Sequence, residues 1–350
     1  MKSCLRLSSL VACILAQVSP ASAIREAGYS EVFATDVLPY CLENGVSGSF
    51  LGRERIRIAW VKYEVENEAG ALVILGGRSE CHAKYAEVIY DLRDLGFSIY
   101  LMDHCGQGAS GRLLQDPEKG HIERFADYVE DLEIFIDTVV DARPHARRFL
   151  LAHSMGGCIG SLFAEEHHEA FDGIILCAPM FDIRTDPYPK PIAYAMVSIF
   201  DAFGLGRAYA PNRRAHDPRA PFEGNDKTHS RVRYERNMHL IADNPMLALG
   251  GPTNHWVKEA MRATRVAKAG ASGLVAPTLL LEAGDDHTVD PRGYESVMQS
   301  AANGRKVVLP EAYHEILMET DSIRDLALRE IRAFLIEGSR GCGRATIRER

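Results

Sequence analysis

The apolar run Phe149, Leu150, Leu151 leads directly into Ala152, His153, Ser154, Met155 and Gly156, and a second apolar stretch follows. This pattern predicts a buried strand that turns sharply into a helix with a serine at the turn, the sequence form of a nucleophile elbow. Small residues are needed around such a serine because the turn strains its backbone and brings strand and helix close together. Ala152, Gly156 and Gly157 supply them. At a helix start, Ser154 stands where free N–H groups and the helix dipole favour developing negative charge. Serines between small residues also occur in ordinary loops, so the motif needs partners elsewhere in the chain.

The surrounding chain alternates between strands and helices. Ile56, Ile58 and Trp60 interleave with Arg55, Arg57 and Ala59 as in a half-exposed strand. Residues 71–75 and 97–102 are short apolar runs of the kind expected from strands covered on both faces, and 173–177, 278–281 and 306–309 read as further strands. Between them, apolar residues recur at helical spacing, as in Tyr85, Val88, Leu92 and Leu95 before Gly96. The expected class is α/β: a mostly parallel sheet with helices on both faces. From 181 to 273 the rhythm breaks into proline-rich loops and helices, read as a helical cap inserted between core segments 24–180 and 274–337. The run 338–350, SRGCGRATIRER with its preceding glycine, is basic and reads as a disordered tail.

Residues 1–23 read as a cleaved export signal: Lys2 and Arg6, an apolar stretch over 7–18, then Pro20, Ala21, Ser22 and Ala23. The stretch is too short to span a bilayer. Cleavage ahead of Cys13, as in a lipoprotein, is the alternative, and it leaves little apolar segment before the cut. A periplasmic or secreted protein is expected. The formal net charge of −8 falls by two, to −10, when Lys2 and Arg6 leave, which argues against a nucleic-acid partner. Eight cysteines are too few for a disulfide-dense scaffold, and no two stand at CxxC spacing, so no zinc site is expected.

A serine hydroxyl becomes a nucleophile when a base takes its proton, and the base needs a third group to fix its tautomer. Asp285 and Asp286 follow the run 278–281, and His314 follows the run 306–309. Both loops fall at strand C-termini, where open α/β sheets place their sites. Spacing does not decide between the two aspartates; Asp286 is preferred. The order Ser154, Asp286, His314 is that of an α/β hydrolase. Oxyanion donors are expected from the N–H of Met155 and, in the loop Gly76, Gly77, Arg78, Ser79, Glu80, from that of Arg78. Gly106, Gly108 and Gly111 satisfy GxGxxG, but no helix opens on the third glycine, so no dinucleotide cofactor is expected.

Over residues 31–336 the chain resembles the lysophospholipase and monoacylglycerol lipase branch of the α/β hydrolases, especially the bacterial lysophospholipases. The resemblance rests on GGRSE at 76–80, DHCGQGASGR at 103–112, AHSMGG at 152–157, NPMLALGGPTNHWV at 244–257 and YHEIL at 313–317. It implies Ser154 as nucleophile, His314 as base, Asp286 as orienting acid, Arg78 and Met155 as oxyanion donors, and neither metal nor organic cofactor. It further implies cleavage of the acyl ester of a lysophospholipid or monoacylglycerol. The alternatives are a related peptidase or aminopeptidase, which needs an acidic pocket for the substrate amine, a general carboxylesterase, and an idle hydrolase fold used for binding. The chain departs from the family at Ala152, where glycine is usual, and at Cys105, where arginine is usual. With Cys81 just past the oxyanion loop, a Cys81–Cys105 disulfide is expected. Apolar residues within 191–205 either line an acyl groove or pack the cap onto the core. The cap's arginines, from Arg207 to Arg236, either attract a phosphate headgroup or anionic membrane surface, or are ordinary surface charge.

Overall fold

The computed structural model describes residues 23–301 and 303–340. Residues 1–22 of the expected export signal, and 341–350 of the expected tail, lie outside the described residues.

Along the apolar runs, successive side chains enter opposite cores. Leu72 and Ile74 belong to one core and Ala71, Val73 and Leu75 to the other; Phe149 and Leu151 are divided in the same way from Leu150 and Ala152. Strands buried on both sides need a sheet with a layer over each face. Eight strands form it: β1 (Val46–Leu51), β2 (Arg57–Tyr63), β3 (Gly70–Leu75), β4 (Phe97–Met102), β5 (Arg148–His153), β6 (Gly173–Cys177), β7 (Thr278–Ala283) and β8 (Gly304–Leu309). Their order is β1-β2-β4-β3-β5-β6-β7-β8. β2 runs antiparallel to both β1 and β4, and the remaining neighbours are parallel. The parallel body is the one the alternating pattern predicts. β1 was not legible, because Ser47, Gly48 and Ser49 carry little strand signal and the strand lies largely exposed, although Phe50 packs against Phe135.

Helices α1 (Ala86–Leu92), α2 (Ala126–Phe135), α3 (Met155–Glu166), α4 (Lys190–Phe200), α5 (Arg231–Asp243), α6 (Asn254–Gly270), α7 (Arg292–Ser300) and α8 (Asp321–Arg340) flank the sheet and build its cap. α1 and α8 feed the core on one face; α2, α3, α6 and α7 feed the core on the other. α8 runs to Arg340, so the first three residues of the expected tail are helical. Within 181–273, α6 packs Trp256, Ala260, Ala263 and Ala267 into the core beside α3. α4 turns Ala193 and Val197 inward, while Ile192, Ile199, Phe203 and Leu205 lie exposed. α5 is tied down by the buried Arg233. Its guanidinium donates to Glu87 of α1, to the carbonyls of Ile24 and Glu319, and to Asp321 of α8.

The expected Cys81–Cys105 disulfide is absent; both residues are free, buried thiols. β3 and β4 are neighbours as expected, but the two cysteines are buried in different surroundings. Cys81 lines a small cavity with Ile74, Leu101 and Tyr85, which belong to one core, whereas Cys105 belongs to the other core. Burial pushes the Cys81 thiol up to about 12, and the Cys105 thiol upward as well, so neither is a thiolate at neutral pH. Alkylation without reductant, read by peptide mass spectrometry, is expected to leave both unmodified in the native protein and to label both after denaturation. A Cys81–Cys105 crosslink in the unreduced digest would contradict this arrangement.

Candidate active site

β5 delivers the serine. The Ser154 N–H donates to the Cys177 carbonyl at the end of β6 (3.0 Å), and the Ser154 carbonyl accepts from Met180 (2.8 Å) and Cys158 (3.2 Å). These bonds hold Ser154 at φ 50°, ψ −115°, a conformation costly for a residue with a side chain. α3 begins at the next residue. Gly156 permits the approach, because a Cβ there would lie 2.5 Å from the Leu75 carbonyl oxygen at the end of β3.

His314 and Asp286 arrive from the loops after β8 and β7. His314 Nε2 lies 2.8 Å from Ser154 Oγ, and His314 Nδ1 lies 2.7 Å from Asp286 Oδ2. The three are buried, at 6, 4 and 4 % exposure for Ser154, Asp286 and His314. A carboxylate only accepts, so Nδ1 carries the proton and Nε2 is left to accept from the serine hydroxyl. The other oxygen of Asp286 accepts the N–H groups of Thr288 (2.7 Å) and Val289 (2.9 Å). Burial opposes ionisation of Asp286, but His314 and these two amides outweigh it and hold the carboxyl below its usual range. Burial likewise lowers His314 below the ordinary imidazole value, with Asp286 opposing the shift only in part. The choice between the aspartates is made here. Asp285 has a side chain 57 % exposed and pairs with His287 instead.

The loop after β3 runs against the serine, since a Cβ on Gly77 would come within 3.2 Å of Ser154 Cβ. Among the described residues, the N–H groups of Arg78 and Met155 have no protein acceptor. That is the state required of donors awaiting an oxyanion.

Sequence reasoning missed the groups that hold this loop. Glu80 is buried and accepts from the Gly77 N–H, from Lys84 Nζ (2.7 Å) and from the Tyr85 hydroxyl (2.7 Å). His153 Nδ1 also faces Glu80 (3.0 Å), while Nε2 faces the carbonyl of His314 (3.1 Å). Both partners are acceptors, so the imidazole serves them fully only as the cation. Burial opposes that charge, but Glu80 outweighs it and holds His153 above the ordinary imidazole value. Gln107, from the segment that mimics a dinucleotide motif, donates to the carbonyls of Gly77 (2.8 Å) and Glu80 (2.9 Å). His104 donates to the Gly76 carbonyl (3.1 Å), and burial lowers it to about 4, so it is neutral. The available signal was Glu80 and Lys84 at i,i+4, a pattern also common on solvated helix faces. Breaking a buried charge pair leaves an uncompensated charge. Glu80→Gln is expected to destabilise the protein by about 3 kcal/mol in urea unfolding, whereas a surface pair would give less than about 1 kcal/mol.

Comparison with known proteins shows the family and the fold. The family model described as "Serine aminopeptidase, S33" matches residues 66–321. Lysophospholipase L2 of Escherichia coli is 42% identical over 296 residues, covering 81% of this chain and 86% of that protein. A probable lysophospholipase L2 of Haemophilus influenzae is 28% identical over 316 residues, covering 89% of this chain and 98% of that protein. A soluble variant of monoglyceride lipase from Saccharomyces cerevisiae, solved with a substrate analog, superposes with a TM-score of 0.65 at 18% identity, covering 84% of this chain and 96% of that one. This last likeness shows the fold, and the first two carry it into sequence. With most of its length matched by one family model and a relative of this identity, the chain belongs to that serine hydrolase family and has the α/β-hydrolase fold.

Proposed function

We propose that the protein is an exported serine esterase that cleaves the acyl ester of a lysophospholipid or monoacylglycerol. The carrying observation is the continuous hydrogen-bonded chain from Ser154 Oγ through His314 to Asp286. In this reading His314 Nε2 takes the hydroxyl proton as Ser154 Oγ attacks the acyl carbon, and Asp286 stabilises the resulting imidazolium. The N–H groups of Arg78 and Met155 hold the oxyanion, each worth on the order of 10²-fold in rate. Collapse expels the alcohol, which takes the proton from His314. Water then enters by the same base and releases the fatty acid from Ser154.

The substrate class is supported by the relatives named lysophospholipase and by the exposed apolar face of the cap, Ile192, Ile199, Phe203 and Leu205. Such a face suits peripheral contact with a lipid surface. No helix among the described residues is long and apolar enough to cross a membrane. Export is supported by the pattern of residues 1–23. The description of the matching family keeps an aminopeptidase in view. That activity needs a carboxylate for the substrate amine, yet Glu80 is engaged by Lys84 and His153 and Asp286 by His314.

The purified protein is expected to hydrolyse lysophosphatidylcholine or a monoacylglycerol in preference to an amino-acid anilide, and Ser154→Ala is expected to cut kcat at least about a thousandfold. Full turnover by the alanine variant would remove Ser154 from the mechanism. In a pH–rate profile, the acid limb of kcat/KM is expected to fall as His314 gains a proton. Because burial lowers His314, the midpoint is expected below the ordinary imidazole value near 6.5.

A further inference from the structure

The esterase reading leaves the alcohol side of the ester unassigned, and one cation beside the serine has no role in it. In that reading the Arg78 N–H serves the oxyanion, and its side chain pairs with no carboxylate among the described residues. The guanidinium donates to the Gly250 carbonyl and to the Ser79 hydroxyl (3.1 Å), and lies 5.3 Å from the Trp256 ring. Its Nε is sealed from solvent with no acceptor, and so is the hydroxyl of nearby Tyr209. Further positive charge stands close by. Lys119 Nζ lies 5.4 Å from the Tyr209 ring, and Arg213 adds to the burial that lowers Arg78 to about 10. Asp116 and Glu118 act on Tyr209, but Asp116 pairs with Lys119 (3.9 Å) and Glu118 accepts the His216 N–H (2.6 Å).

A half-buried guanidinium without a carboxylate partner is costly when one of its donors is sealed from water, and an idle hydroxyl beside it adds to the cost. An anion with several acceptor oxygens would satisfy both. Reach fits as well. In a 1-acyl glycerophospholipid, as many covalent bonds separate the acyl carbon from the phosphorus as separate the Arg78 nitrogen from its guanidinium carbon. An ester whose oxyanion rests on the Arg78 N–H can therefore carry its phosphate to the Arg78 side chain.

We propose that Arg78, with Tyr209 and Arg213, forms an anion subsite for the phosphate of the substrate headgroup, so that phosphate-bearing monoacyl esters are preferred over neutral monoacylglycerols. This rests on the esterase reading of Ser154. The other account of Arg78 is a prop between the oxyanion loop and the cap, and a prop would serve all substrates alike.

The test compares kcat/KM for a lysophosphatidylcholine and a monoacylglycerol of the same short acyl chain, below their micelle concentrations. Arg78→Met is expected to lower the ratio of the first to the second at least tenfold, Tyr209→Phe to lower it by a smaller factor, and Arg78→Lys to restore part of the loss. Equal losses on both substrates would overturn the subsite while leaving the esterase reading intact. A separate arm measures binding of glycerophosphocholine and of inorganic phosphate by calorimetry to the Ser154→Ala protein, with and without Arg78→Met. Glycerophosphocholine binding that weakens at least tenfold in the Met variant supports the headgroup site even if turnover fails. Binding of inorganic phosphate alone would mark a free-anion site and overturn the proposal.

Discussion

Ser154 can stay at φ 50° only because its surroundings over-determine it. Its N–H is held by the end of β6, its carbonyl by Met180 and Cys158, and the first turn of α3 is pressed onto the carbonyls of Leu75 and Gly76 through the bare Cα of Gly156. That contact joins β3, β5 and α3 at one point. It turns the Ser154 hydroxyl toward His314, so the geometry of the whole site depends on how closely strand and helix approach.

Three loops from distant parts of the chain must then agree in position to within a hydrogen bond. A buried ionic cluster supplies the agreement. Glu80 holds the oxyanion loop through the Gly77 N–H, and His153 links Glu80 to the carbonyl of His314. Lys84 reaches from Glu80 to Glu315, the residue after His314. Displacement of one loop therefore strains the others, which a purely apolar contact would transmit less specifically. Gln107 and His104 brace the same loop from the side, giving the glycine-rich segment after β4 a structural use unrelated to nucleotides.

The cap shows a different balance. Arg233 ties α5 to α1, α8 and the chain near Ile24 through buried bonds, and α6 is as much a core helix as a cap helix. α4 is tied at its start by Lys190 to Asp182 and Asp290, and leaves an apolar face in solvent. The basic residues of the cap divide in the same way, with Arg233 buried in ion pairs and Arg207 on the surface pairing with Glu123.

Apolar runs uninterrupted by alternation were enough to specify a sheet covered on both faces, because a strand such as residues 71–75 has no side it can show to water. Small residues around Ser154 specified the turn, and the order of Ser154, Asp286 and His314 specified which loops would meet, since strand C-termini of a parallel sheet share one edge. The sequence was silent where two residues looked alike locally. Asp285 and Asp286 differ only in which one the loop after β7 turns toward His314, and Cys81 and Cys105 look poised to pair although both stay free thiols. Whether Glu80 and His153 were surface charges or a buried brace depended on contacts across 73 residues of chain, which local pattern does not encode. Local chemistry thus determined the elements and the candidate reacting groups, while tertiary packing decided orientation, protonation and partners, because those depend on what arrives from elsewhere in the fold.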